Sequence, residues 1–255
     1  NTIWISPVVK NPDTFSEKNG QKSSGYHGYW PIDSEKVDPR FGTENDLKQM
    51  IEVAHNQGIN VILDYVANHV HKDNPIIKNN PNWCTPLILE DGSKNIARWE
   101  DQRFTTWFED FLPTLDYNNP TVVDKMTDIA VWWIQKYNFD GFRHDATKHI
   151  QTEFWRSLTL KLKKNYSFPE NKRLFQIGET FGGREMLKTY INSGVHDSQF
   201  SFNLYYETRS AFLYQNVSFE KLAICVKQEI SAFGNHHLMG NISGNHDMPR
   251  FISYA

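Results

Sequence analysis

Phe139-Asp140-Gly141-Phe142-Arg143-His144-Asp145-Ala146-Thr147-Lys148-His149 is a short, largely apolar run that breaks off into charged and polar residues. Phe139 to His144 has the length of a strand and lies between two stretches of helical periodicity. Upstream, Pro120 opens a helix in which Val122, Val123, Met126, Ile129, Ala130, Trp133 and Ile134 recur at helical spacing. Downstream, Thr152 to Lys163 reads as another helix. A strand set between helices, with its polar residues gathered at its C-terminal end, is the unit of which parallel α/β folds are made.

The same rhythm extends in both directions. Strands are expected at Thr2 to Val8, Val61 to Val66, Leu174 to Gly178, Gln199 to Leu204 and His237 to Ile242. Helices are expected at Thr43 to Gln57, Gly183 to Ile191, Tyr205 to Leu213 and Phe219 to Phe233. The first of these opens on Thr43 with Asp46 in capping-box position and stops at Gly58. Strand-helix repetition implies right-handed crossovers, and hence either a doubly wound sheet or a closed barrel. No GxGxxG or GxxxxGK[ST] follows any strand, which favours the (β/α)8 TIM barrel, whose chemistry sits at the C-terminal strand ends. Residues 71–118, rich in Asn, Pro, Trp and Asp, are too long for a simple strand-helix loop. They are read as a small excursion domain over the barrel mouth, with 1–70 and 119–255 as the two parts of the barrel. The loop Lys10 to Lys36 carries the aromatic cluster Tyr26-His27-Gly28-Tyr29-Trp30.

Composition narrows the function classes. A formal charge of -3 from 27 basic and 30 acidic residues, among 255 in all, leaves no basic stripe for nucleic acid or an acidic membrane. No apolar run reaches the roughly 18 residues of a membrane span. The two cysteines, Cys84 and Cys225, lack the spacing of a zinc or redox motif. A neutral, polar, small or oligomeric substrate fits such a chain best.

Four strand ends hold polar clusters: Asp64-Tyr65-Val66-Ala67-Asn68-His69, Gly141 to Asp145, Gly178-Glu179-Thr180, and Gly244-Asn245-His246-Asp247. Taken singly, a carboxylate at a strand end is commonly a helix cap or an ion-pair partner. Parallel strands of one barrel, however, converge their ends on one basin, so Asp145, Glu179 and Asp247 are expected to face each other. Crowded carboxylates favour keeping one of them protonated. Glycosidases use that difference, one carboxyl protonating the leaving oxygen while an ionised one attacks, at a separation of roughly 5 to 6 Å when configuration is retained. Arg143, two residues before Asp145 and so on the same strand face, is placed to hold Asp145 ionised.

These four clusters, in order and spacing, resemble the four signature regions of the α-amylase family of glycoside hydrolases. His27-Gly28-Tyr29-Trp30 and Asn245-His246-Asp247-Met248-Pro249-Arg250-Phe251 are similar to it as well. The resemblance implies Asp145 as nucleophile, Glu179 as general acid/base, and Asp247 as the carboxylate steadying the distorted sugar. It implies that His69 and His246 hydrogen-bond sugar hydroxyls, that Tyr29 stacks beneath the sugar, and that Lys148 and His149 border the leaving-group side. Asp64 is read as a partner of Arg143. His27 and Trp30 are equally readable as sugar contacts and as loop packing; His144, Trp132, Trp133 and Trp155 are read as core. The implied reaction is double-displacement cleavage of α-1,4-glucosidic bonds in starch, glycogen or maltodextrins, with no catalytic cofactor and a secreted or periplasmic setting.

Two departures from the family pattern carry expectations of their own. Many members hold a structural calcium through the asparagine before the first signature histidine, an aspartate in Leu-Pro-Asp-Leu-Asp, and a backbone carbonyl. Here Leu112-Pro113-Thr114-Leu115-Asp116 replaces that aspartate by Thr114, leaving Asn68 and the His149 carbonyl. A hard cation wants several anionic oxygens, so the site is weakened. The first strand also resembles the family's second barrel strand and the last motif its seventh. Strands one and eight are therefore expected to lie outside these residues, either in a longer polypeptide or supplied from elsewhere, because an open barrel exposes its edges. Two alternatives stand beside hydrolysis: a transglycosylase on the same site, and a metal-dependent hydrolase built on Asp64, His69, His246 and Asp247. A non-catalytic binding relative would lack the carboxylates.

Overall fold

The computed structural model describes residues 1–18, 20–214, 218–234 and 239–254. In chain order its elements are β1 (Thr2–Ile5), β2 (Val9–Lys10), β3 (Phe15–Lys18), β4 (Gln21–Ser24), β5 (Asp33–Val37), α1 (Glu44–Asn56), β6 (Asn60–Tyr65), α2 (Pro75–Lys78), α3 (Pro120–Tyr137), β7 (Gly141–His144), α4 (Thr152–Leu162), α5 (Phe168–Glu170), β8 (Phe175–Gly178), α6 (Arg184–Tyr190), β9 (Ser198–Gln199), α7 (Phe202–Leu213) and α8 (Phe219–Phe233). The chain divides into two compact units, Asn1–Phe175 and Gln176–Ala255. Among the described residues the parallel strands form an open sheet and not a closed barrel, and no helix is long and apolar enough to cross a membrane.

In the first unit β1, β6 and β7 run parallel, with Trp4 opposite Ile62 and Asp64 opposite Arg143. β7 is buried throughout and β6 in all but Asn60, as in a sheet covered on both faces. Cover comes from α1, through Leu47, Ile51 and Ala54, and from α3, whose Val122, Met126, Ile129, Ala130, Trp133, Ile134 and Tyr137 are buried at helical spacing. α4 adds Phe154, Trp155, Leu158 and Leu162. Thr43 caps α1 in a complete capping box with Asp46, and Gly58 follows the helix at φ 69°, as the sequence predicts. Trp133 and Trp155 are fully buried, whereas Trp132 is only half-buried and lies against Tyr137 and the Lys136 ammonium. Gly141 has φ 151°, and a Cβ there would stand 1.8 Å from the Phe175 carbonyl oxygen.

The segment 71–118 is held mainly by its own polar groups. Asn95 Nδ2 donates to the Pro86 and Thr105 carbonyls, Thr85 Oγ1 donates to the Thr105 carbonyl, and Thr114 Oγ1 donates to the Thr106 carbonyl. The isolated bridge His69–Thr114 and the Leu115 N–H, which donates to the Asn68 carbonyl, tie it to the chain leaving β6, while the bridge Cys84–Leu115 joins its two ends.

The second unit pairs β8 with β9 in parallel, Gly178 opposite Gln199, and packs α6 against β9 and α8, and α7 against α8. Several sequence expectations are corrected. The strand expected at Gln199 to Leu204 is confined to Ser198–Gln199, and a helix starts at Phe202 because the Ser201 side chain caps it at the Leu204 N–H. Of the strand expected at His237 to Ile242, residues 237 and 238 lie outside the described residues, and Gly240 makes a single bridge to Phe200. The first strand ends at Ile5, shortly before Pro7, which has no N–H to donate to a ladder. Lys10 to Lys36, read as a loop, contains the hairpin β3–β4 and the strand β5 that pairs with β2. α4 runs on through a π turn at Lys163–Ser167.

Two substitutions separate local from assembly effects. Thr43→Ala is expected to cost about 1 kcal/mol, the usual loss of an N-cap. Gly141→Ala is expected to cost more than about 3 kcal/mol or to prevent folding, since the methyl group meets backbone at a φ unsuited to alanine. Urea unfolding of both variants checks this; equal, small losses would mean that the backbone relaxes at Gly141.

Candidate active site

The register of β6 and β7 brings Asp64 beside Arg143 at the C-terminal end of the sheet. Arg143 is fully buried, and its Nη1 donates to Asp64 Oδ1 at 2.9 Å and to Asp145 Oδ1 at 2.7 Å. The second Asp64 oxygen accepts from Trp4 Nε1 at 3.1 Å and from the Tyr29 hydroxyl at 2.7 Å. Asp64 is thus engaged on both oxygens, as the sequence reading of a partner requires. Burial pushes Asp64 up to about 6, against the Arg143 guanidinium and the Tyr29 hydroxyl. The same burial, with the Asp64 charge, pushes the Tyr29 hydroxyl far above its ordinary value. Asp145 lies one residue beyond β7, and its N–H continues the ladder to the Tyr65 carbonyl. Ala146 then adopts a left-handed conformation, φ 49° and ψ 38°, and turns the chain into the single 3-10 turn Thr147–His149. Such a conformation in a residue with a Cβ is strained by about 1 to 2 kcal/mol and is characteristic of functional turns.

Around this centre stand the other residues expected from the sequence. His69 is buried, its Nε2 donating to the Tyr29 carbonyl at 3.0 Å, and burial lowers its pKa. His27 accepts the Tyr29 N–H on Nδ1, stacks on Tyr29 and meets Trp30 edge-on, while Trp30 rests against Phe111. Both thus make packing contacts within the loop and with Phe111. His144 is fully buried against Trp155 and Phe142. Lys148 Nζ pairs with Glu100 at 2.9 Å, and His149 Nδ1 donates to the Arg103 carbonyl at 2.8 Å. Trp99 and Phe108 both abut the His149 ring, and Phe108 also abuts His69. Trp99, Glu100 and Phe108 went unnoticed in the sequence; an aromatic-acidic pair, Trp99-Glu100, inside a polar loop was the available signal. Burial lowers His149 to about 4, so it is neutral at ordinary pH.

Near the sheet end Asn68 is buried with its Oδ1 lacking a hydrogen-bond partner. Thr114, read as the weakened calcium position, directs its hydroxyl to the Thr106 carbonyl. Among the described residues no three His, Cys, Asp or Glu side chains gather in a metal-binding group.

In the second unit Glu179 follows β8 directly and is buried. Asp247 lies in a turn closed by its N–H donating to Asn245 Oδ1, and His246 Nε2 stands 3.2 Å from Asp247 Oδ2, both side chains being partly exposed. A buried cluster unforeseen from the sequence anchors the helix after Glu179. Arg184 Nε, at the start of α6, donates to Glu229 Oε1 at 2.6 Å, and Ser201 Oγ donates to Glu229 Oε2 at 2.7 Å.

The family model for the alpha amylase catalytic domain matches residues 1–255. The chain belongs to the alpha-amylase family. It is 30% identical over 259 residues to Alpha-amylase 2 of Dictyoglomus thermophilum, covering 100% of this chain and 41% of that protein. It is 26% identical over 270 residues to the cyclomaltodextrin glucanotransferase of Paenibacillus macerans, covering 98% of this chain and 36% of that one. Among solved structures it matches the alpha-amylase of Geobacillus thermoleovorans complexed with acarbose, at a TM-score of 0.82 and 31% identity, over 99% of this chain and 53% of the other. This alpha-amylase family chain therefore spans about half the length of its relatives, or less.

The burial of His149 has a pH signature. An unfolded chain takes up a proton here as pH falls below 6.5, whereas the folded one does so only near 4. Stability is therefore lost as pH falls through that window and is unaffected above it. His149→Gln is expected to flatten the fall of Tm between pH 6.5 and 4 and to leave the slope above pH 7 unchanged. Parallel Tm curves would mean that His149 is not held neutral.

Proposed function

We propose that this chain carries the catalytic site of a retaining glycoside hydrolase that cleaves α-1,4-glucosidic bonds in starch, glycogen or maltodextrins. The observation that carries the reading is the buried Arg143 shared by Asp64 and Asp145. Asp64 is saturated by Trp4, Tyr29 and Arg143, so the carboxylate left for chemistry at this strand end is Asp145. In this reading Asp145 attacks the anomeric carbon as the bond to the glycosidic oxygen breaks, and Glu179 delivers its proton to that oxygen. A water then loses a proton to Glu179 and attacks the same carbon, releasing Asp145 and restoring both carboxyls. Asp247 steadies the positive charge on the sugar ring in both steps, and His246 and His69 hold its hydroxyls. Tyr29 offers a ring face to the apolar side of the sugar. Lys148 and His149, with Trp99 beside them, border the leaving group. The segment 71–118 is the small excursion domain of this reading, and its internal hydrogen bonds support that assignment.

Asn68 and the His149 carbonyl are the donors retained for a structural calcium. One amide oxygen and one carbonyl, beside a threonine hydroxyl already bonded to Thr106, do not fit an ion that takes 6 to 8 oxygens, several of them anionic. No step is routed through a metal. A metal-dependent hydrolase on Asp64, His69, His246 and Asp247 is disfavoured because Asp64 spends both oxygens on protein donors and His69 Nε2 donates to the Tyr29 carbonyl. Transglycosylation on the same carboxylates is the second reading, favoured by the likeness to a protein named cyclomaltodextrin glucanotransferase. Product analysis on maltoheptaose at high glucose acceptor concentration separates the two.

Asp145→Asn is expected to lower turnover of maltodextrin by about 10⁴-fold or more with the fold retained, since the amide cannot form the ester intermediate. A variant keeping a tenth of wild-type activity would require another nucleophile.

Glu179→Gln is expected to lose maltodextrin hydrolysis yet give a burst of leaving group from an α-glucosyl fluoride, which needs no proton to depart. Equal impairment on both substrates would remove Glu179 from the acid role.

A further inference from the structure

Tyr29 stands on a stretch with little regular structure of its own, yet its position is set by a residue well before it in the chain, on the far side of the β3–β4 hairpin. Asn11, just beyond β2, is fully buried. Its side-chain Nδ2 donates to the Gly28 carbonyl at 3.0 Å and to the Val9 carbonyl at 2.8 Å, and its Oδ1 accepts the Trp30 N–H at 2.6 Å. The Gly28 carbonyl belongs to the peptide group before Tyr29, and the Trp30 N–H to the peptide group after it. One amide therefore grips both peptide links of a single residue. Asn11 is in turn held by its own N–H, which donates at 2.9 Å to Asp38 Oδ2, and Arg40 binds both oxygens of that carboxylate. The loop closes tightly on this core: at Gly28, φ 91°, a Cβ would lie 2.3 Å from the Pro7 carbonyl oxygen, and at Gly25 one would lie 2.9 Å from the Asn11 Cβ.

We infer that Asn11 is a positioning residue that sets the Tyr29 ring against the Asp64–Arg143–Asp145 ion-pair chain. The far end of Tyr29 donates to Asp64 Oδ2, so a shift of its backbone is passed to the carboxylate that shares Arg143 with Asp145. Only a side chain with a donor and an acceptor at that reach serves both peptide links. Aspartate keeps the acceptor for Trp30 but turns an oxygen towards the Gly28 and Val9 carbonyls; serine is too short to reach both. The catalytic consequence rests on the α-glucan hydrolase reading above, whereas the grip on Tyr29 does not.

The test uses Asn11→Asp, Asn11→Ser, Tyr29→Ala and the double variants in the complete polypeptide. Amide hydrogen exchange is followed by mass spectrometry, and kcat and KM are measured on maltoheptaose. In the Asn11 variants, exchange is expected to rise in the peptide covering 25–32 and to stay unchanged over β6 and α3. The kcat/KM is expected to fall about tenfold in Asn11→Asp, while adding Asn11→Asp to Tyr29→Ala costs less than about twofold more, because the residue acts through Tyr29. Losses that multiply in the double variant overturn the inference, as does exchange that rises across the whole first unit or nowhere. Failure of both Asn11 variants to fold overturns it too, since the asparagine would then be holding the fold and not Tyr29. A wild-type protein inactive on every α-glucan would sink the proposed function, and the exchange measurement would still decide whether Asn11 holds Tyr29.

Discussion

Arg143 is a full positive charge inside a parallel sheet, and the arrangement of the first unit follows from the need to neutralise it. A guanidinium stripped of water is costly, and it is tolerated only where carboxylates and well-directed hydrogen bonds replace the lost solvent. Asp64 and Asp145 supply the charge, and they do so from two neighbouring positions: one directly opposite on β6, the other two residues on, just past the end of β7. The pairing also disfavours other registers of β6 against β7. A slip of one residue would turn every side chain to the other face and leave the charge in the apolar layer. Removing one partner of such a group typically costs about 3 to 5 kcal/mol, far more than a surface ion pair is worth.

From that centre the constraints pass outward as hydrogen bonds. Asp64, having given one oxygen to Arg143, offers the other to Trp4 on β1 and to Tyr29, so one carboxylate ties together β1, β6, β7 and a distant loop. His69 and Asn11 then secure the Tyr29 backbone from two sides. The strained turn at Ala146 follows Asp145 without an intervening residue, which separates the rigid strand from the polar turn bearing Lys148 and His149. Flexible side chains such as Lys148 reach back to Glu100 in the segment 71–118, while Tyr29 and Asp145 are held by short, directed bonds.

The second unit solves a similar problem with a buried carboxylate. Glu229 is fully buried on α8, where the neighbouring Ile224 and Ile230 are exposed, an inversion of the usual amphipathic order. Its two oxygens are taken by Arg184 and by Ser201, the residue that caps α7, so α6, α7 and α8 are bound at one point. The helix that starts at Arg184 follows the short loop leaving Glu179, so the cluster fixes the far end of that loop.

Local chemistry was readable without coordinates wherever the deciding groups are close in sequence. Thr43 and Asp46 are three residues apart, so their capping box is written in the chain; α8 begins and ends where its periodicity does; Arg143 and Asp145 share a strand face because alternation requires it. Family likeness then named the carboxylates, since the four motifs are short and contiguous. Gln199 to Leu204 misled because Gln199-Phe200-Ser201-Phe202 alternates like a strand, although the Ser201 side chain caps a helix there. Other features are invisible in one dimension because their partners are far apart along the chain: Asn11 with Trp30, Lys148 with Glu100, Glu229 with Arg184. A lone asparagine or glutamate has many potential partners in an unfolded chain. Burial in a dry, packed interior leaves each of them only one arrangement in which its charge or dipole is satisfied, and that selection is made by the tertiary structure alone.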